Sequence, residues 1–312
     1  MRVFLAGATG VIGRRLLPAL LAAGHDVTGM TRSQRGAEQL RAAGAAAVIA
    51  DAFDAEALVP AMADVRPEAL IHQLTSIPRR IDPRKAERDF ATNDRLRTEG
   101  TANLIAAAQA AGVSRIVAQS IAFFYAPGPP GTVHVERDPL LSEAQAVKPA
   151  RRSAKALAVL ERTVLDAEGT VLRYGYFYGP GSAIAREGSI GEDAARGRLP
   201  IVGSGAGVWS FIHVDDAAAA TVAALDAGKP GVFNVVDDEP ARVADWIPAF
   251  AASLGVRKPR RVPVLLARVI AGSYGVALMT QSQGASNALA KRELGWTPQH
   301  ASWREGFTTA LG

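Results

Sequence analysis

The sequence predicts an α/β fold: a doubly wound parallel sheet carrying a smaller C-terminal lobe. Three observations predict it. Short β-branched runs alternate with Ala/Leu-rich stretches of helical length through the first 180 residues. A strand–glycine loop–helix unit opens the chain between Arg2 and Ala23. Hydrophobic residues make up 48% of the 312 residues and charged residues 21%, proportions that exclude wholesale disorder.

The elements follow in order. Arg2 to Ala6 reads as a strand, and Val11 to Ala23 as a helix stopped by Gly24. Asp26 to Thr31 is the next strand, and Ser33 is placed to cap a helix running towards Gly44. Ala46 to Ala50 and Ala69 to His72 are the third and fourth strands. One long helix is expected from Ala86 to Ala111, ended by Gly112. Arg115 to Gln119 is the fifth strand, Ser153 to Ala167 a helix and Thr170 to Arg173 the sixth strand. Helices between strands imply right-handed crossovers and a parallel sheet covered on both faces. Beyond Tyr178 the rhythm breaks at Gly179-Pro180-Gly181. Strands are expected at Val208 to Val214 and Val232 to Val236, and helices at Asp216 to Ala227 and Val243 to Leu254. Residues 1–180 are therefore expected to form the nucleotide-binding unit. Residues 181–312 are expected to form mainly a substrate lobe, with some segments returning to the sheet.

Composition narrows the function. With no cysteine there are no disulfides, no thiolate metal sites and no cysteine nucleophile, which fits a cytoplasmic protein. No apolar run reaches the roughly 18 residues of a membrane helix, so no membrane partner is expected. The net charge of +5 is scattered, and aromatics amount to 6%, so no nucleic-acid partner is expected. The ionisable residues show no metal-site spacing, and no G-x-S-x-G elbow suggests a hydrolase.

The first loop carries the strongest signal. Gly7-Ala8-Thr9-Gly10-Val11-Ile12-Gly13 lies between the first strand and the first helix. Gly7 suits a tight turn, Gly10 a close approach by a diphosphate, and Gly13 a close helix–strand contact. This places Gly7, Thr9, Gly10, Val11, Ile12 and Gly13 around a dinucleotide in a Rossmann-type fold. At the end of the second strand, Thr31-Arg32-Ser33 offers no carboxylate for a ribose 2′-hydroxyl. Arg32 offers a fork suited to a 2′-phosphate, so NADP(H) is favoured over NAD(H). The alternative is a solvated surface arginine.

Landmarks along nearly the whole chain then resemble the extended or atypical short-chain dehydrogenase/reductase superfamily, in its NAD-dependent epimerase/dehydratase group. They are Gly7 to Gly13, Ala50-Asp51-Ala52, Ile71-His72-Gln73-Leu74, Glu99 to Leu104, Arg173 to Pro180, Phe211 to Asp216, Phe233-Asn234-Val235 and Leu294 to Pro298. The resemblance implies that Asp51 and Ala52 border the adenine and that Leu74 and Thr75 lie along the ribose and nicotinamide. Gln119 and Tyr174 complete the expected cofactor contacts. It also leaves open a homodimer.

The family's Tyr-x-x-x-Lys motif aligns with the helix at Ala150 to Lys155. Lys155 fits the lysine, but Arg151 stands where the tyrosine belongs, and an arginine is no proton donor near neutral pH. The family's active hydroxyl falls on Ile121, with Ser120 displaced by one residue and requiring a bulge to serve. The expected catalytic candidates are therefore Lys155, Tyr125 and Ser120, with Tyr176, Tyr178 and His134 as further proton sources. Tyr125, Tyr176 and Tyr178 are also expected to touch substrate. The competing assignments are a packing aromatic at Tyr125, a surface lysine at Lys155, a core group at His72 and a helix cap at Asp215 or Asp216. The expected function is an NADP(H)-dependent oxidoreductase or epimerase-like enzyme acting on a small carbonyl or alcohol. Its rivals are an inactive dinucleotide-sensing protein and a structural or RNA-associated platform.

Overall fold

A computed structural model describes residues 1–129 and 131–311. Seven parallel strands form one sheet: Arg2–Ala6, Asp26–Thr31, Ala46–Ile49, Ala69–His72, Arg115–Ile121, Thr170–Tyr174 and Gly231–Val235. Numbered one to seven along the chain, they lie in the order 3-2-1-4-5-6-7. The order reverses beside strand one, whose Ala6 is level with both Met30 and His72. Ligands of open α/β sheets gather at that reversal, beyond the strands' carboxyl ends.

Strand alternation builds two cores. Val3 and Leu5 face one side and join helix Gly13–Ala22, through Leu16 and Leu20, to helix Val214–Ala227. Phe4 and Ala6 face the other side, with Leu58 and Met62 of helix Ala55–Val65 and Leu160 and Val164 of helix Arg151–Asp166. Side chains on a strand alternate between faces, so each strand feeds both layers. A third core holds Tyr178, Trp209, Phe211, Trp246, Trp303 and Phe307 under the C-terminal lobe.

Several expectations are corrected. The first helix begins at Gly13, because Ile12 acts as its N-cap residue. The long helix is broken into Ala86–Asp89, Ala91–Arg95, a π-helical stretch Leu96–Gly100 and Thr101–Ala110. The strand expected over Val208 to Val214 is two pieces, Val208–Trp209 and Phe211–His213, and the second pairs with Tyr176–Tyr178. Helix Ala55–Val65 was not foreseen, nor was helix Val264–Thr280, which bends at Gly272. Ser33 does cap its helix, accepting from the Gly36 N–H at 3.1 Å. Among the described residues no helix is long and apolar enough to cross a membrane.

Candidate active site

The carboxyl ends of strands one to five line up the loop Gly7–Gly13, Thr31–Ser33, Asp51–Ala52, Leu74–Thr75 and Gln119 along one edge of the sheet. The loop is shaped by close approaches. Gly7 has φ +95°, and a Cβ there would lie 2.7 Å from the Gln73 carbonyl. A Cβ on Gly13 would come within 2.2 Å of the Gly7 carbonyl oxygen. The close contact at Gly13 is thus with the loop's own backbone rather than with the strand. At Gly10 the only neighbour is Gly7 O at 3.2 Å, which leaves its outer side open. The helix that starts at Gly13 has no side-chain cap, and no acidic residue stands in its first turn. The N–H groups of Arg14 and Arg15 already donate to Gly10 and Ile12, but those of Val11, Ile12 and Gly13 have no acceptor among the described residues, so the residues present fit a dinucleotide diphosphate.

The neighbouring positions differ in what they offer. Thr31 is buried, while Arg32 and Arg35 are exposed and have no ion-pair partner among the described residues. Asp51 Oδ1 accepts from the Phe53 N–H at 3.0 Å, and the Ala52 carbonyl accepts from Asn103 Nδ2 at 2.9 Å, which pins this corner. Leu74 donates its N–H to His72 Nδ1, so His72 Nε2–H donates to Thr101 Oγ1 at 3.0 Å. Burial pushes the His72 pKa down to about 4. It is a core group. Thr75 and Gln119 keep exposed surface.

Strand register sets where Ser120 and Tyr125 sit. Strand five pairs with strand six without a bulge, from Val117↔Thr170 to Ile121↔Tyr174. Ser120 therefore faces the helix layer, where it is 1% exposed and donates to Glu161 Oε1 at 2.6 Å. Glu161 also takes two bonds from Arg173, at 2.9 and 2.6 Å. Arg173 donates to the Tyr125 hydroxyl at 2.8 Å, and Tyr125 donates to Asn234 Oδ1 at 2.7 Å. The Tyr125 ring stacks on His134, which is itself held by Asp138 and Gln283. Burial pushes the Tyr125 phenol up despite Arg173. Ser120 and Tyr125 belong to one hydrogen-bonded knot with Glu161, Arg173 and Asn234 that ties strands five, six and seven together.

Helix phase sets Lys155 at the surface. Ser153, Ala154, Leu157 and Glu161 of its helix point inward, whereas Arg151, Arg152 and Lys155 are exposed. Lys155 lines a surface cavity of about 560 Å³ with Asp94, Arg95, Glu143 and Arg152. Inward positions four apart are Ala150 with Ala154, buried beside Phe124 and Tyr274, and Ser153 with Leu157. Neither a Tyr nor a Lys stands on the inward face.

Two further tyrosines are corrected. Tyr174 is fully buried, its hydroxyl shared with Thr221 at 2.7 Å and Gln73 at 3.1 Å, and burial pushes its pKa up to about 12. Tyr178 is fully buried against Phe211 and Phe307, and burial raises its pKa. Of the tyrosines expected to touch substrate, only Tyr176 keeps exposed surface. Its ring is stacked between Phe123 at 4.0 Å and Trp209 at 3.8 Å.

Some groups at the site were missed. Asp94 accepts from Ser153 at 3.0 Å and lies 3.8 Å from the Arg97 guanidinium; burial pushes its carboxyl up. Tyr274 closes the same region from the unforeseen helix, with a pKa raised by burial to about 12. Asp94 and Arg97 flank the start of the π-helical turn, which no sequence period marks. His213, Asp216 and His300 also come together, with potential ligand atoms within 4.8 Å of one another. Their atoms are already committed. Asp216 accepts from the N–H groups of Gln299 and His300, His213 Nδ1 from that of Asp215, and His213 Nε2 donates to Ala310 O. The helix cap is therefore His213, and Asp216 fastens the 299–300 loop. Only the later fold brings His300 near, so spacing gave no signal.

Comparison with known proteins follows the same outline. The model of the "NAD dependent epimerase/dehydratase family" matches residues 3–235. A 3-diazoavenalumate denitrifying reductase from a Streptomyces species is 47% identical, covering 98% of this chain and 99% of its own. Among solved structures, a UDP-glucose 4-epimerase from Thermotoga maritima with UDP-glucose superposes with TM-score 0.77 at 20% identity, covering 100% of this chain and 97% of its own. A human epimerase family protein with NADPH gives 0.74 at 21%, covering 100% and 99%. At that identity the two structures bear on the fold alone.

Proposed function

The chain belongs to the NAD-dependent epimerase/dehydratase family, and from that premise we propose that it is an NADPH-dependent reductase of a small planar organic electrophile, in the first instance an aromatic diazo compound. One observation carries the reading: the inward positions at 150–157 are Ala150, Ser153, Ala154 and Leu157, so neither the tyrosine nor the lysine of the family's proton relay stands there. Reduction of a carbonyl needs a proton on oxygen. An arenediazonium ion needs none. One hydride at its terminal nitrogen gives an aryldiazene, which releases N2 as its hydrogen passes to the ring carbon. Charge and atoms balance without an acid. The name of the 47%-identical relative, a denitrifying reductase of a diazo compound, supports this choice.

A bound NADPH would supply the hydride. The chain's own residues would hold and orient the reactants. The N–H groups of Val11, Ile12 and Gly13 take the diphosphate, and Arg32 with Arg35 takes the 2′-phosphate. Asp51 and Ala52 border the adenine, and Leu74, Thr75 and Gln119 run along the ribose and nicotinamide. The substrate lies against Tyr176 and Phe123, whose apolar rings exclude water beside the strand ends.

The test offers the protein an arenediazonium ion with NADPH deuterated at the transferred position. Expected are N2 release above the enzyme-free rate and deuterium in the arene. Preferential reduction of ketones, or inversion of a UDP-sugar, would overturn the reading. Tight NADPH binding without turnover of any of these would favour a dinucleotide sensor, which the missing relay also permits.

A further inference from the structure

Of thirteen exposed large hydrophobic side chains in the described residues, five fall between positions 264 and 270. Leu265 is 78% exposed, Val269 71%, Ile270 62% and Leu266 51%, with Val264 at the edge. They share the first part of helix Val264–Thr280, before the bend at Gly272. Positions 265, 266, 269 and 270 lie on one helical face. The opposite side is anchored, since Ala267 packs on Val202 and Val276. The stripe therefore points outward from a seated helix, and none of the described residues covers it.

The stretch of chain that carries it has charge of one sign. Residues 246–292 contain no Asp or Glu. Arg257, Lys258, Arg260, Arg261 and Arg268 are all exposed. Other basic side chains find carboxylates, as Arg80 does with Glu192 and Asp193 and Lys291 with Asp238. None of these five has an ion-pair partner among the described residues. The strand Arg261–Val262 runs through Pro263 straight into the apolar helix, so the cations rim the stripe.

We infer that this face docks on the surface of an anionic lipid bilayer, lying on it rather than crossing it. A helix with aliphatic side chains on one side and Arg/Lys at its flanks is the pattern of interfacial binding. The long arginine and lysine stems cover apolar surface while their heads reach anionic headgroups. A protein partner is favoured less, because the stripe has no Trp, Tyr, Phe or Met to anchor an interface. A second copy would bring uncompensated cations of the same sign to one seam.

The test is co-sedimentation of the full chain with phosphatidylcholine vesicles, with and without phosphatidylglycerol. Binding is expected only with phosphatidylglycerol, weakening at least roughly tenfold at high salt. The pair Leu265→Ser with Val269→Ser should abolish it, and Arg257→Gln with Lys258→Gln and Arg260→Gln should weaken it roughly tenfold or more. These side chains are exposed, so unchanged thermal unfolding and NADPH binding report that the variants remain folded. Failure to bind anionic vesicles, or binding that both variants retain, would overturn the inference. So would a dimer in solution that the Leu265/Val269 variant converts to monomer, which assigns the face to a second copy.

Discussion

Arg32 is the side chain on which the cofactor preference turns. It stands exposed at the end of strand two with no carboxylate beside it. Arg32→Ala is expected to weaken NADPH roughly tenfold to a hundredfold, the worth of a charge-assisted hydrogen bond, while NADH changes little. Paired calorimetric titrations check this; equal losses would remove the argument. Tyr125 shows the opposite case. Its hydroxyl sits between Arg173 and Asn234, so Tyr125→Phe should cost about 1–3 kcal/mol of stability in denaturant unfolding and leave turnover intact. A large fall in turnover at unchanged stability would restore it as a proton donor. His72 gives a pH dependence. Its folded pKa is near 4 and its unfolded value 6.5, so below 6.5 the unfolded chain binds a proton that the folded chain refuses. Its stabilisation is full above pH 6.5 and declines towards pH 4, by about 3 kcal/mol at most. Melting curves of the parent and of His72→Gln should diverge less as pH falls through that window; a constant gap would refute the assignment. At this scale the tight backbone of the loop Gly7–Gly13 was legible because glycine spacing reports backbone directly. The knot of Ser120, Tyr125, Glu161, Arg173 and Asn234 was not, because a side chain's facing depends on strand register and on a helix forty residues away.

Among elements, those bounded by glycine were read best. Gly24 and Gly44 close stretches whose positions the structure reproduces within a few residues, and Gly112 marks the end, though not the course, of a third. The helix Ala86 to Ala111 was read as one rod because nothing in its composition marks the break after Phe90 or the π-helical turn. Helix Ala55–Val65 contains Pro60, which lowers any helical expectation. The two-residue strands of the C-terminal lobe are too short to display a period of two. Helix Val264–Thr280 owes its bend to Gly272, at φ +66° and ψ −177°, where side-chain-bearing residues are strained. A Cβ there would meet Arg84 at 3.5 Å, so space is not the obstacle. Gly272→Ala should therefore destabilise by about 1–3 kcal/mol in urea unfolding. An unchanged midpoint would mean that the bend relaxes at no cost.

For the whole molecule, the parallel sheet and its paired helical layers were legible from alternation alone, because each crossover needs a helix. The completion of the sheet was harder to see. Strand seven, Gly231–Val235, pairs with strand six only after the chain has passed through much of the lobe. Helix Val214–Ala227, from the same later stretch, covers Leu16 and Leu20 of the first helix. A fragment of residues 1–180 would leave strand six as an open edge and that helix bare. It is expected to aggregate on size-exclusion chromatography; a soluble, folded fragment would contradict this. The same connectivity sets a schedule for synthesis. Strand six leaves the ribosome nearly sixty residues ahead of its partner. At about 5–20 residues per second, its edge waits roughly 3–12 seconds for completion. For that interval the nascent chain presents an unpaired β-edge to its surroundings, open to any other strand that meets it first.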